Sequence, residues 1–306
     1  MRLLNRNFLK FNEVFCDLCG SNETTLWHSV FFLEKKFQYV RCLSCGLIYQ
    51  NPSLSKESLF HIYDTIEYWN HKELGRKNSY MLNYFSYLSE KNQRETINKI
   101  RLKWIRPFLQ DKAHILDLGC SDGSLVEVFC NAGFRAIGMD ISSTIINQAK
   151  KKSQLELIEA DFENEWPIQR SFDAITCYAS LSNFSRPSRV FQQIQHHLKP
   201  GGYFFFNFGD YTRLASKILG SRIYLLRPTS THIFSEKVIQ KYCQKFGLRI
   251  LELKTDFQII SLARVLGFLR MPKILKTIEL LGVEKFELRM AVPTGYRVCA
   301  IRETAP

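Results

Sequence analysis

His114-Ile-Leu-Asp117-Leu-Gly119-Cys120-Ser121-Asp122-Gly123 is the stretch on which the reading of this chain turns. A short apolar run of strand length ends in a glycine turn, and the turn opens a helix expected over 124–132 and stopped by Gly133. Glycines at Gly119 and Gly123, with the small Ser121 between them, let the backbone come close to a ligand. Asp117 stands where a carboxylate either orders the turn or binds that ligand. A turn built for a pyrophosphate would favour the G-x-G-x-x-G order. Here the order is D-x-G-x-S-x-G, with the acid ahead of the first glycine, which suits a cationic ligand without phosphate.

Two further acids follow the next two strands. Asp140 lies 23 positions after Asp117, close to the interval at which such folds hold a ribose diol. Asp161 follows the third strand, placed to accept from an adenine amino group while Phe162 packs on the ring. One acid at a loop tip is ordinary. Three acids after three successive strands, at the carboxyl edge where α/β sheets bind ligands, form a pattern.

Outward from this stretch, strands and helices alternate as in a parallel sheet covered on both faces. Strands are expected at 114–118, 135–139, 155–159, 174–178, 203–208, 248–253 and 296–301, with helices at 188–198 and 236–246 among them. Upstream, 94–110 places Ile97, Ile100, Trp104, Ile105 and Phe108 on one helical face. Three regions result: a cysteine-bearing module over 1–52, a helical connector and lid over 53–112, and the α/β domain over 113–306.

The chain has 306 residues, 45% apolar and 23% charged, ordinary values for a folded protein. No apolar run approaches the eighteen or so residues of a spanning helix, and the start lacks the pattern of a secretory signal. The expectation is a soluble, cytoplasmic protein. The net charge of +13 is concentrated between 211 and 280, with 13 Lys and Arg against 4 Asp and Glu. Such a surface meets nucleic acid, anionic lipid or a phosphorylated substrate, or is simply solvated. Within it, 257–281 mixes Ile259, Ile260, Leu262, Leu266, Phe268 and Leu269 with Arg264, Arg270, Lys273 and Lys276. An insert at 257–290 is therefore expected, either an amphipathic lid touching a membrane surface or a buried helix pair.

Four of the nine cysteines form two knuckles, Cys16-Asp-Leu-Cys19-Gly20 and Cys42-Leu-Ser-Cys45-Gly46, with 22 residues between them that fit a hairpin. A tight turn after each pair aims two thiolates at one tetrahedral Zn²⁺. Four thiolates saturate zinc, so the ion would be structural. Reduced core cysteines or a thiol redox pair are the other readings, and His28 is an ordinary hairpin residue.

Taken together, these motifs resemble the class I S-adenosylmethionine-dependent methyltransferases from about 114 to 301. Asp117-Leu-Gly119-Cys-Ser121-Asp-Gly123 looks like the first motif, Gly138-Met-Asp140 like the ribose acid and Ala160-Asp161-Phe162 like the adenine motif. Phe172-Asp173-Ala-Ile-Thr and Leu198-Lys-Pro-Gly-Gly202 look like the signatures around strands four and five. The resemblance implies a Rossmann-like α/β fold with a mostly parallel seven-stranded sheet, S-adenosyl-L-methionine as cofactor, and Asp117, Gly119, Ser121, Gly123, Asp140, Asp161 and Phe162 as its site. Ser121 departs from the glycine more common there. Leu181-Ser182-Asn183 departs from a frequent Leu-Glu-His, so any acid–base role at that triplet does not carry over.

The cysteine module resembles a zinc ribbon. Leu226-Arg-Pro-Thr-Ser-Thr-His232-Ile-Phe234-Ser235, with Phe246-Gly247, resembles bacterial methyltransferases of glycan and secondary-metabolite pathways, implying a small-molecule or glycan acceptor. Candidate bases are His232, Tyr178, Asp210 and Asn207, with His232 favoured by its chemistry at neutral pH. His196 and His197 read as surface residues and Cys177 as core. The alternatives are an RNA methyltransferase with an amino-terminal zinc module and a non-catalytic zinc-ribbon adaptor. The sequence carries no signal of oligomeric state.

Overall fold

The computed structural model describes residues 9–32, 35–65, 91–164, 166–219, 229–262, 266, 274, 277–278, 280–283 and 286–304. At its centre is a seven-stranded sheet. Strand β6 (His114–Leu118) is flanked on one side by β7 (Arg135–Asp140) and β8 (Leu157–Glu159). On the other lie β9 (Phe172–Cys177), β10 (Leu198–Gly209), β13 (Glu287–Arg302) and β12 (Leu248–Ser261). All neighbours pair in parallel except β13, which runs antiparallel to both β10 and β12. The mostly parallel seven-stranded sheet expected from the sequence is therefore present.

The parallel strands are continuous apolar runs because helices cover both faces. Phe204 and Phe206 of β10 are fully buried with Phe191 of α5 (Pro187–His197) and Tyr242 of α7 (Glu236–Lys245). Phe205 points to the opposite face, where Trp104 and Phe108 pack edge-on to it. That face is covered by α2 (Lys91–Ile105) and α3 (Ser124–Asn131). In α2 the expected apolar stripe is only partly deep: Ile105 is fully buried, but so nearly is Asn98, which donates to Ser124 Oγ.

Two strands run far beyond expectation. The segment 257–261, read from sequence as the start of an amphipathic insert, instead continues β12 and pairs residue by residue with 287–291. The β-branched residue types at 259 and 260 favour a strand, and a partner strand 26 or more residues away makes that choice. The register shifts between Thr255 and Asp256, so 293–295 of β13 are bulged out of the ladder. Of the apolar insert residues, Leu266 is buried with Ile278 against Leu262; Phe268, Leu269, Arg264, Arg270, Lys273 and Lys276 lie outside the described residues. No helix among the described residues is long and apolar enough to cross a membrane.

The amino-terminal region forms a second, antiparallel sheet of β2 (Thr24–Phe32), β3 (Lys35–Cys42) and β4 (Ile48–Gln50). Its fourth strand, β11 (His232–Ile233), comes from the far part of the chain. A short helix, α1 (Lys56–Tyr63), follows, capped at its start by the Ser55 hydroxyl. Of the connector and lid expected over 53–112, residues 66–90 lie outside the described residues.

Candidate functional site

The glycine turn folds back on its neighbour strand. The N–H groups of Gly119 and Cys120 both donate to the Met139 carbonyl, at 2.8 and 3.0 Å. Gly119 adopts φ +70°, and a Cβ there would lie 2.3 Å from Ser180 Oγ in the loop after β9. Ser121 also occupies left-handed space, with φ +53°, which explains why a glycine is the easier residue at this place. Gly119→Ala should therefore lower the melting temperature and weaken binding of S-adenosylhomocysteine more than tenfold, since both the backbone and the Ser180 loop must move. A variant with native melting temperature and affinity would show that the turn carries no such constraint.

Two carboxylates flank this turn and both are buried. Asp140 accepts from the Ser121 N–H at 2.9 Å and from the Ser142 N–H at 3.0 Å, yet burial still pushes its pKa up to about 6. Asp117 accepts from Thr176 Oγ at 2.5 Å, and burial pushes its pKa up to about 7 despite that bond and the Arg101 charge. The hydroxyl of Ser121 is buried with no hydrogen-bond partner among the described residues. Two desolvated acids and an orphaned hydroxyl around one strained turn are costly unless a ligand uses them. They fit a ligand offering both hydroxyl donors and positive charge, as S-adenosylmethionine does.

The third acid is already engaged. Asp161 forms an ion pair with Lys56 of α1 and accepts from Asn164 Nδ2 at 2.9 Å. Phe162, expected to lie on an adenine ring, is instead a core residue, edge-on to Phe184 with ring centres 5.2 Å apart. Sequence reading missed the groups that surround the turn from the two upstream helices. Asp64, at the end of α1, takes hydrogen bonds from the Ser142 and Ser143 hydroxyls and from the Thr144 N–H. Arg94 of α2 pairs with Asp122 at 2.8 Å, and the Arg101 guanidinium lies 4.0 Å from the centre of the Tyr178 ring. No local pattern marks these residues, because the facing of each helix is set by packing.

Beyond the turn, the ends of β9 and β10 carry Tyr178 and Asn207. Tyr178 is buried and its hydroxyl has no hydrogen-bond partner among the described residues. Asn207 accepts from the Ala179 N–H at 2.7 Å and donates to Asp256 at 2.8 Å. Asp210 is spent on architecture: it accepts from the Thr212 N–H and hydroxyl and from the Glu236 N–H that opens α7. It therefore drops out as a base. His197, expected at the surface, is half-buried and stacked on Trp166 at 4.4 Å, while Cys177 is fully buried as expected.

His232 is 5% exposed, with Tyr49 and Phe234 stacked near it, their ring centres each 6.3 Å away. Its Nδ1 lies 3.0 Å from the Phe184 carbonyl oxygen, which can only accept. Nδ1 therefore carries the proton and Nε2 is the basic nitrogen. Burial lowers the pKa of the imidazole, so the neutral form dominates at neutral pH.

In the amino-terminal region, the four sulfur atoms of Cys16, Cys19, Cys42 and Cys45 all lie within 4.8 Å of one another. The two knuckles repeat one geometry: Gly20 N–H donates to the Cys16 carbonyl and Gly46 N–H to the Cys42 carbonyl. Sulfur separations of 3.3 and 3.5 Å across the cluster fit thiolates about 2.3 Å from a shared tetrahedral ion.

Comparison with known proteins agrees with this geometry. A family model described as a methyltransferase domain matches residues 86–253. The ubiquinone biosynthesis O-methyltransferase of Coxiella burnetii is 28% identical over 172 residues, 51% of this chain and 73% of that protein. Its counterpart from Thiobacillus denitrificans is 29% identical over 174 residues, 51% of this chain and 74% of that protein. Among solved structures, a possible histamine N-methyltransferase from Thermotoga maritima superposes with a TM-score of 0.51 at 14% identity, covering 80% of this chain and all of that one. A methyltransferase from Archaeoglobus fulgidus gives 0.50 at 18%, covering 70% and 98%. The two superpositions speak for the fold alone. With more than half its length matched by the family model, the chain belongs to the methyltransferase-domain family, and it is an S-adenosylmethionine-dependent methyltransferase.

Proposed function

We propose that this enzyme methylates a hydroxyl oxygen of a small-molecule acceptor, sugar hydroxyls included, held at the ends of β9 and β10. The observation that carries the reading is the paired burial of Asp117 and Asp140 around the Ser121 turn, with the Asp117 charge reaching Tyr178, whose hydroxyl has no partner among the described residues. These observations support a cofactor site with an acceptor site next to it. Oxygen as the acceptor atom is supported by the two relatives, which are ubiquinone biosynthesis O-methyltransferases.

When bound, the cofactor supplies an activated methyl group on a sulfonium. Everything else falls to this chain. Asp140 would accept from the ribose hydroxyls and Asp161, in addition to its bonds to Lys56 and Asn164, from the adenine amino group, while Arg101, beside Asp117 and Tyr178, would pair with the methionyl carboxylate. In-line displacement then depends mainly on holding the acceptor oxygen in attack geometry and excluding water. His232 would take the acceptor proton on Nε2. The four cysteines would hold a structural Zn²⁺.

Asp140→Ala should weaken S-adenosylhomocysteine at least tenfold, because hydrogen bonds to a charged acceptor are each worth roughly 1.5–3 kcal/mol. The sign with pH follows from the raised pKa values: affinity should fall as pH drops through about 7 and about 6, where Asp117 and Asp140 gain protons. Isothermal titration checks both, and an Asp140→Ala variant with native affinity would remove Asp140 from the site. The acceptor class is tested by homocysteine release with catechols, phenols, nucleotide-sugars and lipid-linked sugars. Methylation confined to an amine or to RNA would overturn the hydroxyl assignment.

A further inference from the structure

Past the acceptor end of the sheet, two cations share one aromatic ring. The guanidinium of Arg289 lies 4.3 Å and that of Arg297 lies 4.4 Å from the centre of Phe257. Arg297 lies also 4.7 Å from the centre of the Trp104 ring. The Nε of Arg297 is buried with no hydrogen-bond partner among the described residues, and no described carboxylate lies within ion-pair distance of either arginine. The two acids nearby have other donors. Glu252 accepts from Trp104 Nε1 and pairs with Lys254, both at 2.9 Å, and Asp256 accepts from Asn207 and from the Phe257 N–H.

Burial lowers the pKa of Arg297; the nearby Asp256 and Glu252 charges oppose that shift in part, and the like charge of Arg289 adds a smaller cost. Ring faces occupied by Phe257 and Trp104 leave the N–H edges of the guanidinium groups as the available donors, the geometry that grips a carboxylate or a phosphate. The place also fits. Arg297 sits opposite Asn207 in the β10–β13 ladder, and Asn207 bonds to the residue following Tyr178. The bulge at 293–295 separates Arg297, in the main sheet, from Arg289, in the extension of β12 and β13.

We propose that Arg289 and Arg297 form an anion subsite that binds a phosphate or carboxylate group carried by the acceptor, so that the acceptor is an anionic hydroxyl compound. The proposal rests on the reading of this edge as the acceptor site of a methyltransferase. Binding of the charged group at the far end of the cleft would leave the hydroxyl directed back toward Tyr178 and the cofactor turn.

The test is a set of titrations. S-adenosylhomocysteine is titrated first, and absence of its binding overturns the methyltransferase reading itself. The protein saturated with S-adenosylhomocysteine is then titrated with phenyl phosphate, with benzoate and with neutral phenol. At least one anion should bind, clearly more tightly than phenol, and Arg297→Gln should weaken it at least tenfold with S-adenosylhomocysteine affinity unchanged. Because Arg297 also packs on Trp104, the exposed Arg289→Gln is made in parallel and should give a loss in the same direction. Preference for phenyl phosphate assigns a phosphorylated acceptor, and preference for benzoate a carboxylated one. No anion binding to the S-adenosylhomocysteine complex, or binding that neither variant weakens, would overturn the subsite.

Discussion

Replacing His232 with alanine should slow turnover by about 10²- to 10⁴-fold, the usual contribution of a positioned base, with little change in affinity for S-adenosylhomocysteine. The tautomer set by the Phe184 carbonyl leaves Nε2 free to accept a proton, and burial keeps the ring neutral at working pH. The loss should not be a disguised folding defect of the loop after β9, because Thr231 Oγ still donates to the Phe184 carbonyl at 2.6 Å when the imidazole is gone. His232→Asn separates the possibilities: it retains a hydrogen-bond donor without basicity, so a proton-transfer role predicts a loss as large as with alanine. The pH profile adds a second readout. A base must be deprotonated, and its folded pKa lies below the ordinary 6.5 or so, so native turnover measured at saturating cofactor should persist below that value and fall only as pH drops through the depressed pKa. The same shift predicts that stability falls in that window, since the unfolded chain binds the proton first. Near-native turnover by the alanine variant would remove His232 as the base, and a native pH limb in His232→Asn would assign that limb elsewhere.

The difference between what the residues announce and what they conceal is a difference of range. The glycine turn, Asp140 and the two cysteine knuckles are local patterns, since a strand, a turn and a helix start within ten residues specify their own geometry. The structure brings Asp117 and Asp140 together around Ser121 for that reason. Lys56, Asp64 and Arg101 reach the ligand-binding edge of the sheet from the two upstream helices through contacts with Asp161, Thr144 and Tyr178, far along the chain, and nothing in their own neighbourhoods marks them. Strand β12 makes the same point in the fold. Its stretch 257–261 carries apolar residues at spacings compatible with either period, and only pairing with 287–291 decides for the strand. His232 combines both cases: its chemistry is legible, but its place in the small antiparallel sheet is set by long-range pairing with Tyr49.

Removing the metal proposed for Cys16, Cys19, Cys42 and Cys45 should cost more than the small sheet that contains them. Structural zinc in small modules supplies roughly 10–16 kcal/mol of binding free energy that is at the same time folding free energy. Here that energy is coupled to the catalytic sheet through named contacts. Asp17, between the first two cysteines, accepts from the Ser188 N–H and hydroxyl at the start of α5 and from the Tyr242 hydroxyl of α7, each at 2.7 Å. Lys241 and Lys245 of α7 reach back to the carbonyls of Cys45 and Leu18. The Gln50 N–H holds the Thr231 carbonyl at 2.8 Å, next to His232. Loss of the ion should therefore loosen α5, α7 and the strand bearing His232, while the cofactor turn, anchored on Met139 in the main sheet, keeps its own hydrogen bonds. The native protein should contain about one zinc by elemental analysis. A Cys16→Ser, Cys42→Ser double variant should contain none, melt at least 5 °C lower and lose most of its turnover, with S-adenosylhomocysteine affinity within about threefold of native. Full zinc content in the double variant would refute the four-cysteine site. A zinc-free variant with native turnover would instead show that the module does not support the acceptor side.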